Sequence, residues 1–355
     1  MPESSVTVAI PVRDGGALLA GTLAALARQS IAHELLVCDS GSRDGSLELV
    51  RSHGARVLEI APGEFNHGGT RNLLVREASG ERVALLSQDA EPADERWLER
   101  LLGGFELGHD IGVVYGPYRP RAGASPAVAL ELTRWFDSLA PEGTPQVERL
   151  TSFGVSESGG GVVEGVGHER LPPVADLIGR RGFFTDANAC VARVAWERVP
   201  FRAVPYAEDR VLAIDMLRAG YAKAFVPGAA VLHSHDYTPS QQLRRCFDEW
   251  RGLREVYGWR EPHSPVRLAG NLRGELGAAR RELIARGVPQ GRRRATLAAF
   301  SGHHVVRTVG AQLGSHADLL PAWARRRLSL ERRASFEPLD LDMPKPQSTQ
   351  DDDRT

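Results

Sequence analysis

At 355 residues, with 42% apolar and 25% charged residues and a formal net charge of −1, the chain is ordinary for a globular protein and long enough for one large domain with an appendage. That balance argues against wholesale nucleic-acid binding and leaves only local basic patches to weigh. The three cysteines, Cys38, Cys190 and Cys246, lie at no metal-ligand spacing and form no disulfide framework, as expected of a reducing compartment. No positively charged leader precedes an apolar run, and no stretch of about 18 apolar residues occurs, so neither a signal peptide nor a transmembrane helix is expected and the expected location is cytoplasmic.

Val6–Ile10 reads as a buried strand stopped by Pro11. Leu18, Leu19, Leu23 and Leu26 recur at helical spacing between Gly16 and Gln29. Glu34–Cys38 is a second strand ending at Asp39, followed by a loop over 40–45 and a helix over 46–52. Arg56–Ile60 and Arg82–Leu86 are two further strands, separated by a helix around Thr70–Ala78. Strands alternating with helices predict βαβ units and a mostly parallel sheet. In such a sheet the functional residues lie beyond the carboxyl ends of the strands, where Asp39 and Asp89 both fall.

From about 122 to 173 the pattern loosens, and Ser156-Glu-Ser-Gly-Gly-Gly161 is flexible by composition, so an inserted loop facing the site is expected. Order resumes at Phe183–Val199. The segment 207–220 is helical, with Val211, Leu212, Ile214 and Leu217 on its apolar face. Ala229–Leu232 is a short apolar strand running straight into His233 and His235. Helical signals continue from Thr238 to about Leu330, and the polar tail 344–355 is expected to be disordered.

Each candidate has a plain structural alternative. Asp39 can accept from a base imide or simply begin a turn, and Asp44 suits a helix cap. Phe65-Asn-His-Gly-Gly-Thr-Arg-Asn72 opens a helix whose amides, with Arg71, suit a diphosphate; its glycines can equally serve the turn alone. Asp89, leaving a strand, can hold Mg²⁺ or Mn²⁺ against phosphate oxygens. Adjacent Glu208 and Asp209 should point in different directions from a helix, so only one is expected to enter a site. A histidine is more often a structural hydrogen-bonder than a ligand. The signal is the order of the elements.

That order resembles the family 2 glycosyltransferases of the GT-A fold. The resemblance runs from Val6-Thr-Val-Ala-Ile-Pro-Val-Arg13 through Asp39-Ser-Gly-Ser-Arg-Asp-Gly-Ser46, Thr70-Arg-Asn72, Asp89 and Glu208-Asp209 to His233, about residues 5–240. Phe65–Asn72, Ser87-Gln-Asp-Ala-Glu-Pro92, His233-Ser-His-Asp-Tyr237, Leu313–Pro321 and Arg325–Leu330 look like its rhamnosyltransferase-type branch. The resemblance implies an α/β, Rossmann-like, mostly parallel central sheet flanked by helices, with an α-helical C-terminal extension. It places a GT-A domain at 1–240, with a nucleotide-sugar half to about 120 and an acceptor half from 121. A helical extension at 241–340 and a tail at 341–355 complete the chain.

The activity so implied is inverting transfer of a sugar, such as L-rhamnose from dTDP-rhamnose, from a nucleotide diphosphate donor to a hydroxyl. The acceptor would be a carbohydrate, glycolipid or small molecule of cell-envelope polysaccharide synthesis. By the same resemblance Pro11, Arg13 and Asp39, with Ser40 and Gln88, serve the nucleotide-sugar, and Arg71 contacts nucleoside or diphosphate. Asp89 ligates the divalent metal, His233 or His235 completes its shell, and Asp209 is the general base with Glu208 beside it. Asp186, Asn188 and Trp135 are expected toward the acceptor. One departure stands out: the family's Asp-X-Asp is here Gln88-Asp89-Ala90, one carboxylate fewer. A nucleotidyltransferase and a noncatalytic nucleotide-sugar-binding module are the competing readings; the first lacks a clear Gly-rich basic loop after the first strand, and retention of Glu208-Asp209 speaks against the second.

The aromatic pairs Trp135-Phe136 and Phe183-Phe184 can be acceptor platforms or core. Arg292-Arg-Arg294, Arg325-Arg-Arg327 and Arg332-Arg333 interleave with Val305, Val306, Val309 and Leu313. That pattern suits peripheral contact with an anionic membrane, a homodimer contact, or a solvated basic face.

Overall fold

The computed structural model describes residues 6–150, 180–204, 206–262, 264–330 and 332. The glycine-rich segment 156–161 and the tail 341–355 lie outside them. The strands are β1 (Val6–Val12), β2 (Glu34–Asp39), β3 (Arg56–Glu59), β4 (Arg82–Leu86), β5 (Glu91–Pro92), β6 (Ile111–Tyr115), β7 (Tyr118–Arg119), β8 (Gln146–Glu148), β9 (Asn188–Ala192), β10 (Ala222–Phe225) and β11 (Val231–Leu232). Eight form one sheet in the order β3-β2-β1-β4-β9-β6-β10-β8; β5, β11 and β7 form a small second sheet. β9 runs antiparallel between β4 and β6, and β8 is antiparallel at the edge; the remaining neighbours are parallel.

Continuous apolar strands need helices on both faces. On one face α1 (Gly16–Leu26) and α4 (Trp97–Gly103) press Leu19, Leu23, Trp97, Leu98 and Leu101 against Val8, Ile10, Val37 and Ala84. On the other, α3 (His67–Glu77) and α7 (Glu208–Arg218) bury Leu74, Val75, Leu212 and Met216 against Ala9, Leu36, Leu85 and Val191. The short α6 (Arg193–Arg198) adds Ala195 and Trp196 to this layer, and α2 (Ser46–Ser52) adds Val50 to the first.

The loosened region also contains a helix, α5 (Pro126–Leu139). Its start is specified locally: Ser125 accepts from the Val128 amide and Pro126 sits at the first helical position. Phe136 and Phe184 are buried, in an aromatic cluster with Tyr115, Tyr118, Phe183 and Phe225, so these pairs are mostly core.

Four helices follow: α8 (Pro239–Tyr257), α9 (Pro265–Ala285), α10 (Gln290–Ser315) and α11 (Ala322–Leu328). Thr238 and Gln241 form a capping box at the start of α8, and Gly258 ends it at φ 67°. A Cβ on Gly310 would lie 2.6 Å from the Leu243 carbonyl oxygen, and one on Gly314 2.4 Å from that of Phe247. The glycines therefore let α10 press its backbone onto α8, while Val305 and Val309 of the same helix are exposed. Arg134 of α5 reaches Glu275 and Glu282 of α9, so the C-terminal helices are tied to the sheet domain. Among the described residues no helix is long and apolar enough to cross a membrane.

Candidate active site

A cavity of about 370 Å³ opens where the small sheet, the start of α7, and α5, α8 and α10 meet. Strand pairing builds its first cluster. β5 follows Asp89 almost directly, and its antiparallel pairing with β11 sets Leu232 opposite Glu91. The chain leaving β11 therefore returns past Asp89, and His233 and His235, two residues apart, present the same face. His233 Nδ1 lies 3.5 Å from Asp89 Oδ1, and His235 Nε2 lies 3.3 Å from Asp89 Oδ2. One ligand atom from each of the three fits within 4.8 Å of the others. Burial, outweighing the pull of Asp89, holds the His233 imidazole below its ordinary pKa, and the neutral ring is the ligand form.

The second cluster is acidic. Arg71 on α3 is buried, with Nε 2.6 Å from Asp186 Oδ2, a contact too bent for a hydrogen bond, and Nη1 3.2 Å from Glu208 Oε1. Nη1 also donates to the His67 carbonyl at 3.1 Å. The guanidinium expected to reach nucleoside or diphosphate is thus turned onto two carboxylates of the cavity wall. Burial, reinforced by Glu208 and opposed by Arg71, pushes the Asp186 carboxyl up to about 7. Asp209 is driven well above the carboxylate range by its deep setting first, then by Asp186 and Glu208. Its Oδ1 accepts the Arg210 amide at 2.7 Å. Contrary to the expectation of one inward carboxylate, Glu208 and Asp209 both line the cavity.

Local sequence explains these placements. Ala207 adopts φ 63°, a left-handed conformation that costs a non-glycine residue about 1–2 kcal/mol, just before α7 begins. The turn aims the first helical residues, Glu208 and Asp209, at the cavity. At the start of α3, Asn66 caps Gly69, and a Cβ on Gly68 would sit 2.4 Å from the Arg202 carbonyl oxygen. Asn72 then donates to the Phe201 carbonyl and accepts from the Phe201 amide and Trp196 Nε1. The Asn66–Asn72 segment thus bolts α3 to the chain leading into α7.

The nucleotide-side residues lie outside this cavity lining, at the carboxyl ends of β1, β2 and β4. Asp39 is buried; its Oδ1 accepts the Gly41 and Ser42 amides and its Oδ2 the Ser42 hydroxyl. A carboxylate offers about four acceptor positions, so one remains on Oδ2 for a ligand. Asp44 caps Ser46 and also accepts from Gly16. Ser40 bonds back to Val12, beside Pro11. Gln88 exchanges both amide groups with the Arg13 backbone, bracing β4 against β1.

Of the acceptor residues, Asp186 lines the cavity. Asn188 does not: it is fully buried, accepting from Trp97 Nε1 and donating to the Pro117 and Ala229 carbonyls, so its role is to hold strand ends together. Trp135 also stays outside, packed edge-on to Phe183 at 5.0 Å. The sequence reading missed Glu131 of α5 with His303 and Arg307 of α10, which pair across the cavity wall. It also missed Arg245, whose guanidinium stacks on Tyr206 at 4.2 Å. The four-residue spacing of His303 and Arg307 marks one helix face, but nothing local says that α5 receives it.

The sequence pattern of Glycosyl transferase family 2 matches residues 7–153. The chain carries a family 2 glycosyltransferase domain. It is 29% identical over 250 residues to the O-antigen chain rhamnosyltransferase RfbN of Salmonella typhimurium, covering 68% of this chain and 70% of that one. It is 28% identical over 219 residues to the O-antigen chain rhamnosyltransferase WbaN of Salmonella anatum, covering 61% of each. The fold is that of the mannosyltransferase PcManGT from Pyrobaculum calidifontis, solved with GDP-Man and Mn²⁺: TM-score 0.53, 17% identity, 89% of this chain and 86% of that one. The resemblance drawn from the motif order is borne out: residues 7–153 match the family 2 glycosyltransferases, the chain is similar to rhamnosyltransferases, and it has the GT-A fold with a C-terminal helical part.

Proposed function

We propose that the chain is an inverting glycosyltransferase that moves a deoxyhexosyl group, L-rhamnosyl from dTDP-rhamnose, onto a hydroxyl of a growing envelope glycan. The rhamnosyltransferase names of its relatives support that donor. The observation that carries the chemistry is convergence: a carboxylate-imidazole trio and a group of crowded carboxylates line one cavity. In the transfer, Asp209 takes the acceptor hydroxyl proton. The acceptor oxygen bonds the anomeric carbon, and the bond from that carbon to the diphosphate oxygen breaks, with its electron pair leaving on the nucleoside diphosphate. Crowding by Asp186 and Glu208 makes Asp209 a stronger base than an ordinary aspartate. Asp39, Arg13 and Pro11 hold the nucleoside at the strand ends.

Asp89, His233 and His235 fit a divalent cation: their ligand atoms converge, and His233 favours its neutral form. Two imidazoles with a single carboxylate suit Mn²⁺ better than Mg²⁺, which prefers oxygen. Such a cation, when bound, supplies positive charge to the departing diphosphate. The histidines make up for the carboxylate missing from Gln88-Asp89-Ala90.

The test is nucleoside diphosphate release from a panel of dTDP-, UDP- and GDP-sugars, with Mn²⁺, with Mg²⁺ and with chelator. Release from dTDP-rhamnose, strongest with Mn²⁺, is expected. Pyrophosphate release would make the chain a nucleotidyltransferase, and donor binding without release would make it a binding module.

A further inference from the structure

The C-terminal helices carry a second concavity of about 580 Å³, lined by Arg244 of α8, Trp323, Arg326 and Arg327 of α11, and Arg332. It shares no lining residue with the transfer cavity. None of its four guanidiniums has a carboxylate partner among the described residues, whereas Arg254 and Arg260 of the same C-terminal part are both engaged by Asp318. Four unpaired cations around one groove repel one another unless an anion enters. An apolar ring lies among them: Trp323 is 70% exposed.

Guanidiniums match phosphate geometry, and an exposed indole suits the headgroup level of a bilayer. We infer that this face, made by Arg244, Trp323, Arg326, Arg327 and Arg332, docks on a lipid bilayer bearing anionic phosphate headgroups. The contact is peripheral, since no described helix can span. Arg244 immediately precedes Arg245, which lines the transfer cavity, so docking through α8 holds that cavity beside the bilayer surface. The groove joins Arg326 and Arg327 of the basic run at 325–327 to Arg244, about 80 residues earlier in the chain. This inference goes beyond the transfer reaction and does not rest on it.

The experiment is cosedimentation of the full chain with vesicles of phosphatidylcholine alone and of phosphatidylcholine with an equal part of phosphatidylglycerol. Binding is expected only to the anionic vesicles and should weaken with added salt. Arg326→Glu/Arg327→Glu should lower partitioning by about tenfold or more, and Trp323→Ala by less. Both should keep the wild-type circular dichroism spectrum and melting temperature. Failure of the wild type to bind anionic vesicles overturns the inference, as does undiminished binding by the charge-reversed variant. Protection of the groove by inorganic phosphate without vesicle binding would make it a small-anion site and overturn it as well.

Discussion

Asp39 is a buried aspartate and Asp209 a half-buried one on the cavity wall, and they are held in opposite ways. Asp39 is surrounded by donors, two amides and a hydroxyl, which satisfy its negative charge. Asp209 has one amide donor and two carboxylate neighbours, which oppose its charge. In the proposed transfer, the contrast separates a carboxylate that shapes a loop from the one that takes the proton. Buried polar groups normally find partners, so a crowded acid kept under strain marks the chemical end of the molecule.

The contrast can be broken or sharpened by substitution. Beside the proposed base, the largest effect is expected for Asp89→Ala. Losing the sole carboxylate of the trio should lower metal-stimulated nucleoside diphosphate release by about a thousandfold, since a cation contributes several kcal/mol to a developing charge. Equal rates in variant and wild type, with and without EDTA, would remove Asp89 from metal binding.

At the satisfied end, Asp39→Ala should leave the Gly41 and Ser42 donors without their acceptor and cost about 2 kcal/mol of stability. A lowered urea midpoint at unchanged slope would show this, and Asp39→Asn, which keeps one acceptor oxygen, should lose less.

The smallest expected effect is in the pH dependence of stability. Asp186 titrates at about 7 in the fold against an ordinary 3.8, so between pH 4 and 7 the folded chain keeps a proton that the unfolded chain releases. This contribution makes stability fall as pH rises through that window. Asp186→Asn removes it, and the melting temperature of the variant should vary less between pH 4 and 7 than that of the wild type. Identical slopes would mean that Arg71 keeps Asp186 ionised throughout.

Much of this was legible in the sequence. Apolar strands at regular spacing read correctly as β1 to β4, because short buried strands carry their own signal. The antiparallel insertion of β9 did not, since nothing in Asn188–Ala192 distinguishes its direction from that of its neighbours. Asp89, His233 and His235 were singled out from the order of the motifs, and the short β5–β11 pairing explains why they meet. For Arg71 and Asn188 a single residue letter does not reveal partners: one guanidinium faces two carboxylates, and one amide is spent on strand ends. Glu131, His303 and Arg307 were invisible, because their contact depends on α10 packing through Gly310 and Gly314, far from the family motifs.

The most direct measurement is turnover of the best donor by Asp209→Asn, with donor affinity measured alongside. If Asp209 is the base, donor affinity stays near wild type while transfer falls by about 10²–10⁴-fold, the usual contribution of a general base. Turnover close to wild type in a variant that binds donor normally would contradict it.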